Sequence, residues 1–275
     1  MPSLKSGRNY TKERLSPARK ALIASAAVTA EKSTIHSFAE ADISRPRRLI
    51  REYQQLCGER LSFTAYIVAC LARTIENHPH LNAFISGSNI IYLPSLTISV
   101  LIERQIDGAA IPEPLGIEHC ESKSYLDIHN DIRSAQQSTG AQLGELSGVS
   151  WIRFVPSFLL KAFVRLADRN VSMGIRYGKV AVTAVGMFSK EPVWVIPHGS
   201  PTVLVSVGSI IDRVIEAGGQ FESREHLCLT VSFDHDIVDG APAARFMSEY
   251  LQEIKSGNAI RELIEQTRSL GTDAR

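Results

Sequence analysis

The stretch that decides the fold is Val231–Phe246, which reads VSFDHDIVDGAPAARF. Its first residues alternate between apolar and polar, and this alternation predicts a β-strand that runs up to His235. Asp239 and Gly240 form a turn four residues later, and a helix is predicted to begin at Ala241. The spacing H-x-x-x-D-G therefore places an imidazole at the end of a strand, beside a carboxylate on a tight turn.

Histidine readily acts as a general base near neutral pH, because an unperturbed imidazole titrates at about pH 6.5. Proteins tend to hold catalytic groups on loops at the ends of rigid elements. The segment therefore indicates His235 as a candidate base with Asp239 beside it. Taken alone, the same spacing also fits a histidine that ends a strand and an aspartate that serves as an ordinary turn residue.

Strands and helices are interleaved along the rest of the chain. This order predicts an α/β or α+β fold, arranged as a two-layer sandwich with a mixed sheet. No repeat or low-complexity linker divides the chain, so we expect one domain over residues 15–267 and flexible ends at 1–14 and 268–275. An apolar helix broken at Pro156 is expected over residues 151–169. Further strands are predicted at Leu96–Glu103, Lys179–Val185, Thr202–Ile210 and Leu227–Phe233.

The composition is that of an ordinary globular protein. The chain has 275 residues, 30 basic and 29 acidic side chains, and a net charge of +1. This balance gives no reason to expect nucleic acid or a membrane as a partner. No apolar run reaches the ~18 residues that span a bilayer, and Ala21–Ala30 is interpreted as part of a first helix rather than a signal peptide. Four cysteines without a CxxC pair indicate reduced thiols and a cytoplasmic protein.

No second motif in the sequence indicates a known chemistry. The P-loop, the dinucleotide fingerprint, the nucleophile elbow and the zinc-binding helix are all absent. His78 and His80 flank Pro79 without a cysteine or carboxylate at ligand spacing. We therefore expect no metal site and interpret the two histidines as a solvated helix end.

The segment around His235 resembles the active-site motif of the dihydrolipoamide acyltransferases of 2-oxoacid dehydrogenase complexes, which share the chloramphenicol-acetyltransferase fold. Those proteins carry SFDHR-x-x-DGA-x-AARF, and SFDH, DGA and AARF are all present here. Ser16–Ile23 resembles the helix that opens their catalytic domain, and Leu61–Ala83 resembles their second main helix. Val180–Phe188 is similar to the family strand that ends in Ser or Thr, two variable residues and Gly. The resemblance covers about residues 15–265, nearly the whole chain.

The resemblance implies direct acyl transfer from acyl-CoA, with no acyl-enzyme and no covalently bound cofactor. His235 would be the general base that deprotonates a thiol or hydroxyl acceptor. Thr183 would donate a hydrogen bond to the oxyanion of the tetrahedral intermediate, although it also fits a β-branched strand residue. Asp239 would organise the loop by pairing with an arginine, for which Arg19 is the candidate, and Gly240 would be structural in the same loop.

The resemblance also implies an assembly. In this family the histidine and the Ser/Thr hydroxyl of one site come from neighbouring subunits of a trimer, and the two substrates enter a channel from opposite ends. A homotrimer is therefore expected, and a larger assembly is left open. Candidates for residues near the CoA channel are Ser99, Trp194 and His198, of which the last two fit packing roles equally well.

Three features depart from the family pattern. Asp236 stands where the family has an arginine; facing the imidazole it would favour the imidazolium, and facing solvent, as the alternation predicts, it would have no effect. Ala184 stands where the family often has Asn or Ser. The segment Gly148–Tyr177 is longer and more apolar than the family linker, and we expect it to form a helix that lines or covers the site.

The acceptor is inferred from what precedes the catalytic region. This sequence shows no lipoyl domain, subunit-binding domain or Pro/Ala-rich linker there. We therefore expect a free-standing acyltransferase that moves an acyl group, acetyl in the simplest case, to a hydroxyl of a small molecule, as in natural-product pathways of the tetronate type. Two alternatives stay open: transfer to a lipoyl thiol on a separate protein, and an inactive trimeric scaffold, supported only by Asp236. No motif fixes the acyl chain length or the acceptor.

Overall fold

A computed structural model describes residues 10–106, 109–137, 155–184, 186, 189 and 191–273. Its α-helices are α1 (Pro17–Thr29), α2 (Ser44–Cys57), α3 (Phe63–Asn77), α4 (Tyr125–Gln137), α5 (Ser157–Asp168), α6 (Val171–Tyr177), α7 (Gly240–Ser256) and α8 (Asn258–Asp273). Its strands are β1 (Thr34–Asp42), β2 (Ala83–Ser86), β3 (Asn89–Tyr92), β4 (Ile98–Ile106), β5 (Ala109–Ile117), β6 (Val180–Ala184), β7 (Val203–Ala217) and β8 (Gln220–Asp234). Short 3-10 helices lie at Pro79–Leu81 and Cys120–Ser122.

Six of these strands form one mixed sheet in the order β1-β8-β7-β6-β4-β5. Strand β6 is parallel to both of its neighbours, β4 and β7, and the other pairs in the sheet are antiparallel. Strands β2 and β3 pair with each other as a separate hairpin. The mixed sheet with its covering helices confirms the predicted α/β class.

One face of the sheet carries the hydrophobic core. Alternate strand residues such as Val182, Val231 and Phe233 point toward the helices α2, α3, α4, α7 and α8. Helix α3 is apolar almost all round and fully buried at Tyr66, whose hydroxyl donates a hydrogen bond of 2.6 Å to the carbonyl of Ile254 near the end of α7. Burying each such side chain contributes roughly 1.5–3 kcal/mol, so this face fixes the position of the sheet against the helices.

The hairpin of β7 and β8 is longer than the sequence predicted. The prediction ended the first strand at Ile210 and began the second at Leu227, but the two strands stay in register as far as Ala217 and Gln220. The outer half extends beyond β1, whose pairing with β8 ends at His226. Its side chains are mostly exposed, so the apolar alternation that marks a strand against a core is absent there.

The helices also differ from the sequence expectations in places. Helix α5 begins directly after Pro156, as predicted, whereas residues 151–154 of the expected helix lie outside the described residues. After α7, Gly257 has a positive φ of 69° and the chain turns into α8. This last helix continues to Asp273, into the segment that we expected to be a flexible tail.

The cysteines are free thiols, and three of the four are buried: Cys70, Cys120 and Cys228. Burial raises the pKa of the Cys120 thiol to about 12, and it also raises the pKa of Cys70. Such thiols stay protonated near neutral pH and act as small hydrophobic side chains. Within the described ranges, no helix has the length and apolar character needed to cross a membrane.

Candidate active site

The loop between β8 and α7 carries His235 at the end of the sheet. The backbone N–H of His235 donates a hydrogen bond of 2.6 Å to the carbonyl of Ser33, the residue before β1. The carbonyl of Asp234 accepts from the N–H groups of Ile237, at 3.1 Å, and Val238, at 3.0 Å. The imidazole itself is 42% exposed and can therefore reach a substrate.

Asp239 lies next to this imidazole but holds it only loosely. Its Oδ1 atom is 4.0 Å from Nδ1 of His235, and its side chain is 87% exposed. Asp239 is the residue that precedes the first turn of α7, and its backbone carbonyl, not its carboxylate, accepts from Ala243 at 3.1 Å. A Cβ atom at Gly240 would meet nothing within 4 Å in this chain. The packing of a single chain therefore assigns no steric role to that glycine.

The pairing expected between Arg19 and Asp239 does not occur within the described part of one chain. Arg19 lies in the first turn of α1, where its backbone N–H donates to the Oγ atom of Ser16 at 3.1 Å. Its side chain is exposed, and no ion pair joins it to Asp239 among the described residues. Asp236 is also exposed, in agreement with the orientation that the alternation predicts.

Thr183 lies on the face of the sheet opposite the core. It is half-buried on β6, in register with Ser206 on β7, which is in turn in register with Thr230 on β8. The hydroxyls of Ser206 and Thr230 are buried without a hydrogen-bond partner among the described residues. Three hydroxyls thus lie side by side on adjacent strands. In the described part of the chain, the Thr183 hydroxyl makes no hydrogen bond that would compete with a substrate.

The glycine that follows Thr183 by three residues is required by close backbone packing. A Cβ atom at Gly186 would lie 1.6 Å from the carbonyl oxygen of Gly208, far inside van der Waals contact. Only glycine fits this approach of the two chain segments. The spacing of a hydroxyl residue, two variable residues and Gly therefore has a direct steric basis here.

One chain does not bring Thr183 and His235 together. His235 lies five residues beyond Thr230, and β8 is two strands away from β6. With a rise of about 3.3 Å per residue and about 4.8 Å between strands, the two backbones are separated by roughly 15 Å or more. The imidazole and hydroxyl of one chain are therefore too far apart to act on the same acyl carbon.

The residues considered for the CoA channel divide into two kinds. The Nε1 atom of Trp194 donates to the carbonyl of Ala39 at 3.2 Å, and Nε2 of His198 lies 3.0 Å from the carbonyl of Ala26. Both side chains thus anchor the segment 191–201 to its own chain, which agrees with the packing interpretation. Ser99 is half-buried on β4, in register with Ala181 on the strand that carries Thr183.

A row of buried and half-buried charges, which no sequence motif indicated, lies directly behind the histidine loop. Lys32 lies 3.0 Å from Asp234 and 3.6 Å from Asp168, and Lys179 lies 2.8 Å from Asp168. Burial acts to raise the pKa of Asp168, but attraction to the two lysines outweighs it and the pKa lies below its ordinary value. Burial lowers the pKa of Lys179, and the charge of Asp168 opposes that shift.

Helix α5 is attached to α1 as well as to this row. Leu160 and Ala24 are buried against each other, and Glu31 pairs at the surface with Lys161, at 2.8 Å, and with Arg165, at 2.5 Å. Hydrogen bonds from Arg165 and then Lys161 lower the pKa of Glu31 to about 2. The described part of the apolar segment that we expected to cover the site thus contains α5 and α6. Helix α5 packs on α1 and places its last residue, Asp168, in the charge row behind the histidine loop.

Among the described residues, no group of three His, Cys, Asp or Glu side chains is placed to hold a metal ion. His78 is buried, and its Nε2 atom lies 3.1 Å from a carboxylate oxygen of Glu249. His80 packs edge-on against the ring of His78 at 5.9 Å. The expectation of a fully solvated helix end is therefore wrong for His78, because this ring also packs against the buried Phe246.

The chain matches the family model described as 2-oxoacid dehydrogenases acyltransferase (catalytic domain) over residues 7–148 and 172–261. Among curated relatives, it is 24% identical over 215 residues to the dihydrolipoyllysine-residue succinyltransferase component of the 2-oxoglutarate dehydrogenase complex of Staphylococcus saprophyticus, covering 78% of this chain and 41% of that protein. It is 23% identical over 224 residues to the dihydrolipoyllysine-residue acetyltransferase component of the acetoin cleaving system of Bacillus subtilis, covering 78% and 48%. The chain thus spans less than half the length of these two relatives.

Solved structures show the same fold. A probable dihydrolipoamide acetyltransferase from Listeria monocytogenes superposes with a TM-score of 0.66 at 19% identity, covering 90% of this chain and 95% of that one. The cubic core of the pyruvate dehydrogenase multienzyme complex superposes with a TM-score of 0.65 at 14% identity, covering 94% and 98%. The family model leaves out residues 149–171, and α5 lies within that gap.

Proposed function

Because this chain belongs to the 2-oxoacid dehydrogenase acyltransferase (catalytic domain) family, we propose that it transfers an acyl group between CoA and a thiol of a dihydrolipoyl group. The observation that carries the proposal is the exposed His235, which directly follows β8 in the segment that resembles the family motif. Its backbone is tied to Ser33. The relatives named above are dihydrolipoyllysine-residue acyltransferases, and this supports a lipoyl thiol as the acceptor.

The proposed reaction needs only one base and one hydrogen-bond donor. The imidazole of His235 takes the proton from the acceptor thiol, and the thiolate attacks the carbonyl carbon of the acyl-CoA thioester. The oxyanion that forms accepts a hydrogen bond from Thr183. The intermediate then collapses, the bond from carbon to the CoA sulfur breaks, and the imidazolium returns its proton to the CoA thiolate. The reverse reaction follows the same steps from the acylated lipoyl group.

The distance between the two groups supports a site shared between subunits. His235 and Thr183 of one chain are roughly 15 Å or more apart along the sheet, whereas a hydrogen bond to the oxyanion needs about 3 Å. A neighbouring chain that brings its Thr183 to this His235 resolves the conflict. We therefore include a homotrimer in the proposal, since a closed ring repeats one such contact three times.

The small-molecule acceptor expected from the sequence has no support among the relatives. None of the relatives and structures named above is described as an O-acyltransferase. The expectation rested on the sequence that precedes the catalytic region, which carries no weight against the family match. The scaffold alternative is opposed by the exposed imidazole of His235 and by the hydroxyl of Thr183, which makes no hydrogen bond within the described residues.

The test is a comparison of acceptors. The protein is incubated with acetyl-CoA or succinyl-CoA and either dihydrolipoamide or a panel of primary alcohols, and both CoA release and the acylated product are measured. We expect S-acyl dihydrolipoamide with at least one donor and no O-acyl product. Turnover with an alcohol alone would overturn the lipoyl acceptor, and no turnover with any acceptor would favour the scaffold.

A further inference from the structure

We propose that Asp168 and Lys32 are positioning residues for the histidine loop, an inference that rests on the proposed function of His235. Asp168 holds the Lys32 ammonium against Asp234, and Asp234 fixes the backbone on either side of the catalytic imidazole. Asp168 comes from α5, a segment that the family model does not cover. The loop in this chain is therefore supported by an element outside the residues that the family model matches.

The carboxylate of Asp234 makes two contacts that together shape the loop. One oxygen, Oδ1, accepts from the backbone N–H of Asp236 at 3.2 Å. The other, Oδ2, lies 3.0 Å from Nζ of Lys32. Asp234 precedes His235 and Asp236 follows it, so the carboxylate bridges the two peptide units around the catalytic residue. With the Asp234 side chain only 5% exposed, water cannot easily replace Lys32 as its partner.

Lys32 holds the loop through its side chain, and its neighbour Ser33 holds it through the backbone. The Nζ atom of Lys32 lies 3.0 Å from Asp234 and 3.6 Å from Asp168, and it donates a hydrogen bond of 2.6 Å to the carbonyl of Ser200. The ammonium of Lys32 thus lies between two carboxylates and a backbone carbonyl. The carbonyl of Ser33 accepts from His235 at 2.6 Å. A displacement of Lys32 would therefore move both attachments of the loop.

Asp168 can set the position of Lys32 because Lys179 holds Asp168 in place. Its Oδ1 atom is 2.8 Å from Nζ of Lys179, and its backbone carbonyl accepts from the same Nζ at 2.6 Å. That Nζ also lies 4.7 Å from the ring centroid of Phe84. The four charges alternate in sign from Asp234 through Lys32 and Asp168 to Lys179. Each inner charge thus has an opposite charge on both sides.

The physical chemistry of buried ion pairs favours a geometric role for this row. Taking charges out of water costs about as much free energy as their mutual attraction returns, so such a row adds little net stability over apolar side chains. The row instead fixes the geometry of its side chains, since each charge is paired with its opposite in only one arrangement. A misplacement of a catalytic group by about 1 Å can reduce the rate as much as ~100-fold.

The test compares two changes at the junction of α1 and α5. Asp168→Asn removes the central anion at nearly constant volume. Glu31→Gln is the matched control, because Glu31 also joins the two helices but pairs with Arg165 and Lys161 at the surface rather than with the row. We expect Asp168→Asn to lower kcat with dihydrolipoamide about tenfold or more with little change in either KM, and Glu31→Gln to leave kcat unchanged.

A second variant separates positioning from folding. Asp168→Asn leaves Lys32 and Lys179 with one counterion between them, so its stability is expected to fall. Asp168→Asn combined with Lys179→Met removes one charge of each sign and leaves the pair of Lys32 and Asp234 intact. We expect this double variant to recover the unfolding temperature but not kcat. Recovery of both, or an unchanged kcat in the folded Asp168→Asn protein, would overturn the proposal.

A third measurement keeps the inference separate from the acyl-transfer reaction. The rate at which diethyl pyrocarbonate modifies His235, followed by mass spectrometry of its peptide, reports the environment of the imidazole without any substrate. We expect this rate to rise in Asp168→Asn and to stay at the wild-type value in Glu31→Gln. An equal rate in all three proteins would contradict the positioning role, whereas an inactive wild type would contradict only the proposed function.

Discussion

The backbone N–H of His235 and the carbonyl of Ser33 form a hydrogen bond of 2.6 Å that joins the histidine loop to the start of β1. Strand β1 is at the edge of the sheet and pairs with β8 along its whole length, from Thr34 opposite Asp234 to Asp42 opposite His226. The loop that follows β8 is thus held by the strand that pairs with it. This arrangement gives the imidazole a fixed backbone while its ring stays exposed.

The hydroxyl of Thr183 is predicted to act in the chemical step. Thr183→Val keeps the β-branched shape of the side chain and removes the donor, so we expect kcat to fall by about 10²–10³. Thr183→Ser keeps the donor and should retain most of the activity. Steady-state kinetics with acyl-CoA and dihydrolipoamide test this. Wild-type activity in Thr183→Val together with a loss in Thr183→Ser would show that the methyl group, rather than the hydroxyl, matters.

A shared site predicts complementation between two inactive variants. His235→Ala retains Thr183, and Thr183→Val retains His235, so a mixed trimer contains one subunit contact at which both groups are intact. Each mixed trimer has one such contact out of three, so trimers that contain both chains should show about a third of the wild-type rate. The measurement is the activity of co-expressed, differently tagged chains purified through both tags. Absence of any recovery would indicate that both groups act within one chain.

Two glycines with similar φ angles are predicted to differ in how much stability is lost when each is replaced by alanine. Gly178 has a φ of 70°, and a Cβ there would lie 1.9 Å from the carbonyl oxygen of Thr97, whereas Gly87 has a φ of 61° and open space. Gly178→Ala should therefore lower the free energy of unfolding by about 2 kcal/mol or more beyond the cost of Gly87→Ala. Denaturant unfolding of the two variants gives the difference directly. Equal losses would mean that the backbone near Thr97 adjusts freely.

Acid is predicted to weaken the charge row through Asp168. The pKa of Asp168 in the folded protein lies below its ordinary value of about 3.9, because attraction to Lys179 and Lys32 outweighs the effect of burial. Its stabilising contribution is therefore complete near neutral pH and is lost as the pH falls through the lowered folded-state pKa.

The measurement for this acid effect is the unfolding temperature between about pH 5 and pH 2.5. We expect a steeper fall in the wild type than in the double variant Asp168→Asn, Lys179→Met. Asp236→Asn is the control, because this exposed carboxylate makes no ion pair within the described residues and should keep the wild-type slope. Parallel curves for the wild type and the double variant would exclude Asp168 as the titrating group.

Much of the fold could be predicted because its signals are local. The alternation before His235 and the break at Pro156 each reflect a short-range preference of the chain, and the structure shows the corresponding strand and helix. The outer half of the hairpin that follows Ile210 could not be predicted, because its strands are stabilised by each other and have no buried face. The extension of α8 to Asp273 likewise follows the polar end of the chain, where the sequence has no apolar repeat.

The residues of the candidate site also differ in whether the local sequence indicates them. The spacing of His235 and Asp239 is visible in the sequence, since both lie in one short segment. Lys32 and Asp168 are 136 positions apart and belong to ordinary helical and loop sequence, so nothing local indicates that they meet. Contacts of this kind depend on how α1 and α5 pack, which only the folded chain shows.

The central claim is that His235 is the base for acyl transfer to a thiol. The most direct measurement is the rate of CoA release from acyl-CoA with dihydrolipoamide, compared among the wild type, His235→Ala and the control His119→Asn. His119 is another exposed histidine, and asparagine tolerates its positive φ of 55°. We predict that His235→Ala loses about 10²–10⁴ in kcat while His119→Asn stays at the wild-type rate. Wild-type turnover that persists undiminished in His235→Ala would contradict the account.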